Sequence, residues 1–260
     1  MRADWHTHTS WCDGQATPSE MAEAALAAGL DALGFSGHSY TFFDESWCMS
    51  PVGTEAYRQE IAALREQYDG QLLIRCGVEQ DYYSLESTSG YDYVIGSVHY
   101  IRAGMDFLPV DESPAHLRAG AEKHFSGDLY AFAEAYFETV SRLTEIPGCS
   151  VIGHFDLIAK FNEREPLFDE SHPRYIAAWQ AAAEKLVRSG LPFELNTGAI
   201  SRGYRGVPYP APKMLRWLAE KGARFLLSSD SHAPGTLCCG FEKWRREAEA
   251  LGCRFVDSPI

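Results

Sequence analysis

Seven short apolar, β-rich runs recur along the chain (RADWH, DALGFS, LLIRCGVE, YDYVIGSVH, SVIGH, PFELN and RFLLSS), with helical patterns between them, and CRFVD offers one more near residue 255. Strands that alternate with helices build βα units, so this order predicts a parallel sheet wrapped by helices. The helices are marked by their ends. "TPSEMAEAALAAGL" offers Thr17 as cap, Glu20 three residues on to complete a capping box, Pro18 in the first turn and Gly29 as stop. "HPRYIAAWQAAAEKLVRSG" and "PAPKMLRWLAEKG" repeat that grammar, and "DLYAFAEAYFETVSRLTEIPG" ends at Pro147-Gly148. No Gly/Ser-rich linker and no solenoid repeat interrupts the pattern, so residues 1–260 read as one domain. Two stretches without clear periodicity, 40–55 and 100–127, exceed ordinary connections and are candidate substrate-facing loops.

Composition removes several classes of function. Hydrophobic residues make up 45% of the chain and aromatics 13%, enough for a full core. No run approaches the roughly 18 apolar residues of a membrane span. MRADWHTH has no basic-then-apolar signal pattern, so a cytoplasmic protein is expected. The seven cysteines form an odd set without a CxxC pair, which argues against a disulfide framework and a thiolate zinc site. A net charge of −13 argues against nonspecific nucleic-acid binding, which needs a basic surface.

The informative feature is where the histidines fall. His6 and His8 end the first run, His38 follows the second, Glu79 ends the third, His99 the fourth and His154 the fifth. Glu194 and Asn196 end the sixth, and Asp230 and His232 the seventh. In parallel α/β folds the carboxyl ends of the strands share one face, where active sites sit. Six of the nine histidines therefore meet at one mouth, while His116, His124 and His172 lie elsewhere. Taken singly, each has a plain reading: a hydrogen-bonded core histidine, or a turn aspartate at Asp13 before Gly14. Taken together, so many imidazoles and carboxylates in one cleft would be costly without a cation. Imidazole plus carboxylate suits zinc, iron or manganese, and the number of ligands exceeds one coordination sphere, so two or three divalent ions are expected.

In this order the motifs D-x-H-x-H, S-G-H, G-V-E, S-V-H, G-H-x-D, E-x-N and S-D-S-H resemble the polymerase-and-histidinol-phosphatase (PHP) superfamily. "GHFDLIAKF", "ELNTG" and "FLLSSDSHAP" are similar to its histidinol-phosphate phosphatase branch. The resemblance implies a distorted seven-stranded (β/α)7 barrel of TIM-like type. It also implies that His6, His8, Glu79 and Asp230 surround one ion, and that Glu79 bridges to a second held by His99 and His154. A third would take Asp13, His38 and His232, with Asp4 orienting one of the histidines. Three divalent ions would bring about +6 against about −3 from Asp13, Glu79 and Asp230, leaving roughly +3 in the mouth of an acidic protein, which favours a phosphate monoester.

The chemistry expected of such a centre is direct hydrolysis without a covalent enzyme intermediate. Glu79, Asp230 and His232 are the expected catalytic residues; Lys160, Arg202, Arg205 and Asn196 are the candidates to hold the phosphate or substrate. Where relatives commonly carry basic residues after H-x-D-L-I, this chain reads Ala159 and then Lys160. Asp44, Glu45, Asp106 and Asp111 are candidate partners for a substrate amine. The leading expectation is L-histidinol phosphate hydrolysis in histidine biosynthesis. The alternatives are another small phosphoester, such as a nucleotide or sugar phosphate, and a noncatalytic metal-binding domain. A metal-dependent amidohydrolase is less favoured, since its barrel usually has eight strands and often a carboxylated lysine.

Overall fold

Parallel strands and outer helices alternate through most of the computed structural model, which describes residues 1–260. In chain order the elements begin with β1 (Ala3–Asp4), α1 (Pro18–Ala27), β2 (Ala32–Phe35), α2 (Pro51–Gln67), β3 (Leu73–Asp81) and β4 (Tyr93–Ser97). A hairpin of β5 (Tyr100–Ala103) and β6 (Asp106–Pro109) follows, then α3 (Pro114–Phe125), α4 (Leu129–Val140), β7 (Val151–Ile152) and α5 (Pro173–Val187). The last third holds β8 (Phe193–Asn196), α6 (Gly198–Ser201), α7 (Pro212–Glu220), β9 (Arg224–Ser228), α8 (Phe241–Ala250) and β10 (Arg254–Phe255).

The main sheet has eight strands in the order β1-β2-β3-β4-β7-β8-β9-β10, every pair parallel. This corrects the expected seven: CRFVD supplies the eighth as β10. The reason lies where the sheet curls back on itself. At the mouth, Thr7 bridges Ser231, with His8 N donating to Ser231 O at 2.8 Å and Ser231 N donating to His6 O at 3.1 Å. β1 is only two residues long, and at the opposite end β9 pairs with β10 instead.

The expected helix ends are present. Thr17 and Glu20 form the capping box of α1, and Gly29 beyond it takes φ 72°. The two aperiodic stretches are more ordered than expected. Residues 100–127 hold the β5–β6 hairpin and α3, whose buried stripe of Leu117, Gly120 and Ala121 is too small to register as a hydrophobic period. The other stretch runs into α2 at Pro51 behind the cap Ser50.

Apolar packing divides between the two faces of the sheet. A cluster of 54 residues fills the space around it and under the helices. A second cluster, Trp5, Ala32, Tyr93, Ile95, Val151 and Leu226, plugs the inside of the curl. Tyr93 crosses that interior so closely that a Cβ on Gly34 would lie 2.3 Å from its hydroxyl, and one on Gly77 2.3 Å from its ring. All seven cysteines are free, and no helix is long and apolar enough to cross a membrane.

Candidate metal centre

Above the apolar plug, strand alternation carries a different set of side chains into the same interior. Stepping by two, β2 runs Ala32, Gly34, Ser36, His38; β3 runs Gly77, Glu79, Asp81; β4 runs Tyr93, Ile95, Ser97, His99; β9 runs Leu226, Ser228, Asp230. His38 and Glu79 are joined by a bridge that extends the β2–β3 pairing to the mouth. Asp230 has φ 50°, the left-handed region, which aspartate tolerates better than most residues. Its carboxylate turns over Gly198, where a Cβ would meet Asp230 Cβ at 2.8 Å.

Glu79 is 1% exposed and lies among five imidazoles. Its Oε2 is 3.0 Å from His6 Nε2, 3.4 Å from His8 Nε2 and 2.9 Å from His38 Nδ1. Its Oε1 is 2.7 Å from His154 Nε2 and 3.3 Å from His99 Nε2. Asp230 Oδ1 stands 3.3 Å from His8 Nε2 and 3.8 Å from His6 Nε2. Further out, Asp13 approaches His232 Nε2 at 3.2 Å, His38 Nε2 at 3.5 Å and His8 Nδ1 at 3.8 Å. The nine residues expected as ligands are thus brought to one place.

The donor set fits metal ions on the directions of its atoms. His8 Nε2 and His38 Nδ1 are buried and close to Glu79, yet make no hydrogen bond with it or anything else. Both are aimed at the surroundings of Glu79 Oε2, where buried ring nitrogens without a hydrogen-bond partner suit cation ligands. Ligand atoms of His8, Asp13, His38 and His232 fall within 4.8 Å of one another, as do those of His6, His8 and Glu79, and those of His38, Glu79 and His99.

The charges of the cluster stabilise one another: against their burial, His6 is raised well above its ordinary value by Glu194, Glu79 and Asp230, and His99 by Glu79 and Asp81. Burial alone would push the Glu79 carboxyl up, but the surrounding His6, His38, His99 and His154 hold it well below the usual range. Burial opposes ionisation of Asp230 too, and Arg202, His6, His8 and His232 overcome it. Asp13 is likewise held low against its burial by His38, His232 and His8. Burial drives the His8 imidazole well below its ordinary value, reinforced by His232 and His38, so it stays neutral with its lone pair free to bind.

Of three buried acids that sequence reasoning left without a role, two brace this ring. His6 Nδ1 donates to Glu194 Oε1 at 2.7 Å, which aims Nε2 at the centre, and Glu194 Oε2 accepts from His154 N at 3.0 Å. Asp81 Oδ2 does the same for His99, 2.9 Å from its backbone N and 3.3 Å from Nδ1. Both acids sit two positions from a motif residue on the same strand face, which is the signal that could have found them. Asp156 is the third, paired with Arg205. Trp47 was also missed: its ring lies 4.5 Å from that of His38 and 5.0 Å from that of His99, roofing one side of the centre.

Other expected residues land elsewhere. Asp4 orients no imidazole; it is buried and accepts from Ser229 N at 3.1 Å and Cys238 N at 2.9 Å, because β1 directs it toward the segment after β9. Asn196 faces inward, with Nδ2 donating to Glu194 at 3.1 Å and Oδ1 accepting from Gly198 N at 2.9 Å. Arg205 is buried against Asp156 and does not line the cleft. Asp106 pairs with Lys123 and His124 away from the mouth, and Glu45 accepts from the Tyr40 hydroxyl at 2.6 Å. His116 stays with Ser113, and His172 caps α5.

The cleft over the centre has a volume of about 440 Å³. Lys160, Arg202, Tyr204, Asp44, Trp47, Tyr100, Asp111 and Glu112 are among the residues that line it. Arg202 donates to Asp230 Oδ2 at 3.0 Å and to His232 Nδ1 at 2.8 Å. Lys160 Nζ donates to Asp111 Oδ2 at 2.9 Å, whereas Ala159 beside it is fully buried. Position 160, not 159, therefore serves the cleft. A larger cavity of about 570 Å³ lies between the ends of β1, β9 and α8, but it holds no ligand cluster.

A family model described as PHP domain matches residues 4–198. The chain is 33% identical to a probable histidinol-phosphatase of Deinococcus radiodurans, over 97% of this chain and 95% of that one. It is 26% identical to a histidinol-phosphatase of Bacillus subtilis, over 93% and 97%. A crystal structure of histidinol phosphate phosphatase from Lactococcus lactis, complexed with zinc, L-histidinol and phosphate, has the same fold, with a TM-score of 0.75 at 17% identity over 98% of this chain and 95% of that one. The matched stretch opens on the D-x-H-x-H strand and carries seven of the nine clustered residues, and with it the chain belongs to the PHP domain family.

Proposed function

We propose that residues 1–260 act as a single PHP-type metal-dependent phosphoesterase domain that hydrolyses L-histidinol phosphate to L-histidinol and phosphate in histidine biosynthesis. The observation that carries the reading is Glu79, whose two oxygens face two different groups of histidines inside a cleft that Lys160 and Arg202 also line. His6, His8, Glu79 and Asp230 would hold one divalent ion, Glu79, His99 and His154 a second, and Asp13, His38 and His232 a third, as zinc, iron or manganese. Such ions supply Lewis acidity toward phosphoryl oxygens and activate water.

The chain's own residues do the rest. Arg202 presents a planar fork of donors and Lys160 a point charge, both to the phosphoryl oxygens. Glu194 and Asp81 keep the His6 and His99 rings turned toward Glu79. Trp47 shields His38 and His99 from water. Asp44 and Glu112 line the same cleft as Lys160 and Arg202, and this mixture of acids and cations suits a substrate that carries both a phosphate and an amine. The names of the relatives agree with this choice.

The test compares phosphate release from histidinol phosphate, serine phosphate, a nucleoside monophosphate and a sugar phosphate at equal concentration. Histidinol phosphate should give the highest kcat/KM. If another ester is preferred, the same centre serves a different small phosphoester.

A further inference from the structure

Arg205 and Asp156 form an ion pair almost without access to water, 5% and 0% exposed, with Nη1 3.1 Å from Oδ2. Arg205 Nε and Asp156 Oδ1 have no partner at all. As core filling this is a poor choice, since apolar residues of similar volume are often as stabilising or more so. A buried ion pair does fix direction, and its neighbours show what is being fixed. Asp156 Oδ2 also accepts from Ala211 N at 3.4 Å. The Arg205 guanidinium lies 4.8 Å from the centre of the Tyr209 ring, and Tyr209 exchanges two backbone hydrogen bonds with Asn196, at 2.7 and 2.9 Å. Glu163 accepts from Gly206 N at 2.7 Å. The segment from Asn196 to Ala211 is thereby closed on itself and fastened to the segment that follows His154. The first carries Arg202 and the second Lys160.

We infer that the Asp156–Arg205 pair is a positioning device that sets the spacing of Arg202 and Lys160 for the phosphoryl group. This rests on the reading above, in which those two cations take the phosphate. Asp156 and Arg205 themselves touch no substrate.

The experiment is a double-mutant cycle on the metal-loaded protein, with inorganic phosphate as a competitive inhibitor. One arm is the apolar replacement Asp156→Leu with Arg205→Met; the other is Arg202→Ala. Metal content and Tm are measured on every variant. The apolar pair should keep its metal and its fold yet bind phosphate about 10- to 100-fold more weakly, the cost of a misplaced binding group. In that background Arg202→Ala should cost much less than it does alone. Should the apolar pair fail to fold, Arg205→Lys, which keeps the charge but loses the planar fork, replaces it in the same cycle. Independent effects, each variant costing the same in either background, would make the pair merely structural and overturn the inference. Unchanged phosphate inhibition in Arg202→Ala alone would overturn it differently, by removing Arg202 from the phosphate site before any pair variant is made.

Discussion

The floor and the mouth of the curled sheet share the same strands and have opposite chemistry. On β4, Tyr93 and Ile95 belong to the apolar plug while His99, further along the same face, borders Glu79. On β9, Leu226 is in the plug and Asp230 in the centre. Between the two levels lies a thin layer of small polar residues, Ser36, Ser97 and Ser228, all fully buried. The floor is held by close packing and one buried hydroxyl: Tyr93 fits against two glycines and donates to Trp5 O at 2.6 Å, immediately before His6. The mouth concentrates charges that packing cannot satisfy. A close-packed apolar base under the mouth fixes the strands from which these side chains project.

That contrast breaks most visibly under chelation. Exhaustive removal of metal should abolish phosphate release, and adding Mn²⁺, Zn²⁺ or Fe²⁺ should restore it, while far-UV circular dichroism shows the sheet intact. Full turnover by metal-free protein would sever the mouth from the chemistry. Next in size is Glu79→Gln, which removes the charge facing five imidazoles; activity should fall about 100-fold or more, with a loss of bound metal seen by elemental analysis. Near-normal rate and metal content would dismiss the bridging role.

Asp13→Asn acts at the outer edge and should be milder. Bound metal should drop by about one equivalent, since a carboxamide is the poorer ligand for a hard cation, and the inner sites should stay filled. Unchanged stoichiometry would reduce Asp13 to a turn residue. The smallest effect on turnover belongs to the floor. Tyr93→Phe leaves a buried carbonyl without its donor and should cost about 1–3 kcal/mol in denaturant unfolding, while the folded enzyme keeps its metal. A loss of metal there would show that floor and mouth are not separable.

How much of this was legible in the sequence depends on whether a residue's partner is local. Strand ends are local features, so His6, His8, His38, Glu79, His99, His154, Asp230 and His232 could be assigned to one face from their places in the pattern. The capping box of α1 and the proline starts of α5 and α7 were readable for the same reason. Arg205 and Asn196 misled because a polar residue near the mouth has two possible directions, and only partners brought from distant segments decide between them. The eighth strand was a faint signal, because two residues of pairing leave little pattern. Trp47 lies in a segment with no period, where a roof over two histidines leaves no mark in the spacing.

The bridge between Thr7 and Ser231 sets a timetable for synthesis. Asp4 and Ser229, which meet beside it, are 225 residues apart in the chain. At about 5–20 residues per second, a ribosome takes roughly ten to forty-five seconds to make the stretch between them. During that interval His6 and His8 are present without Asp230 and His232. The part of the cluster that joins the two ends of the chain is therefore completed last, when the segment after β9 has been made and closes against the first strand.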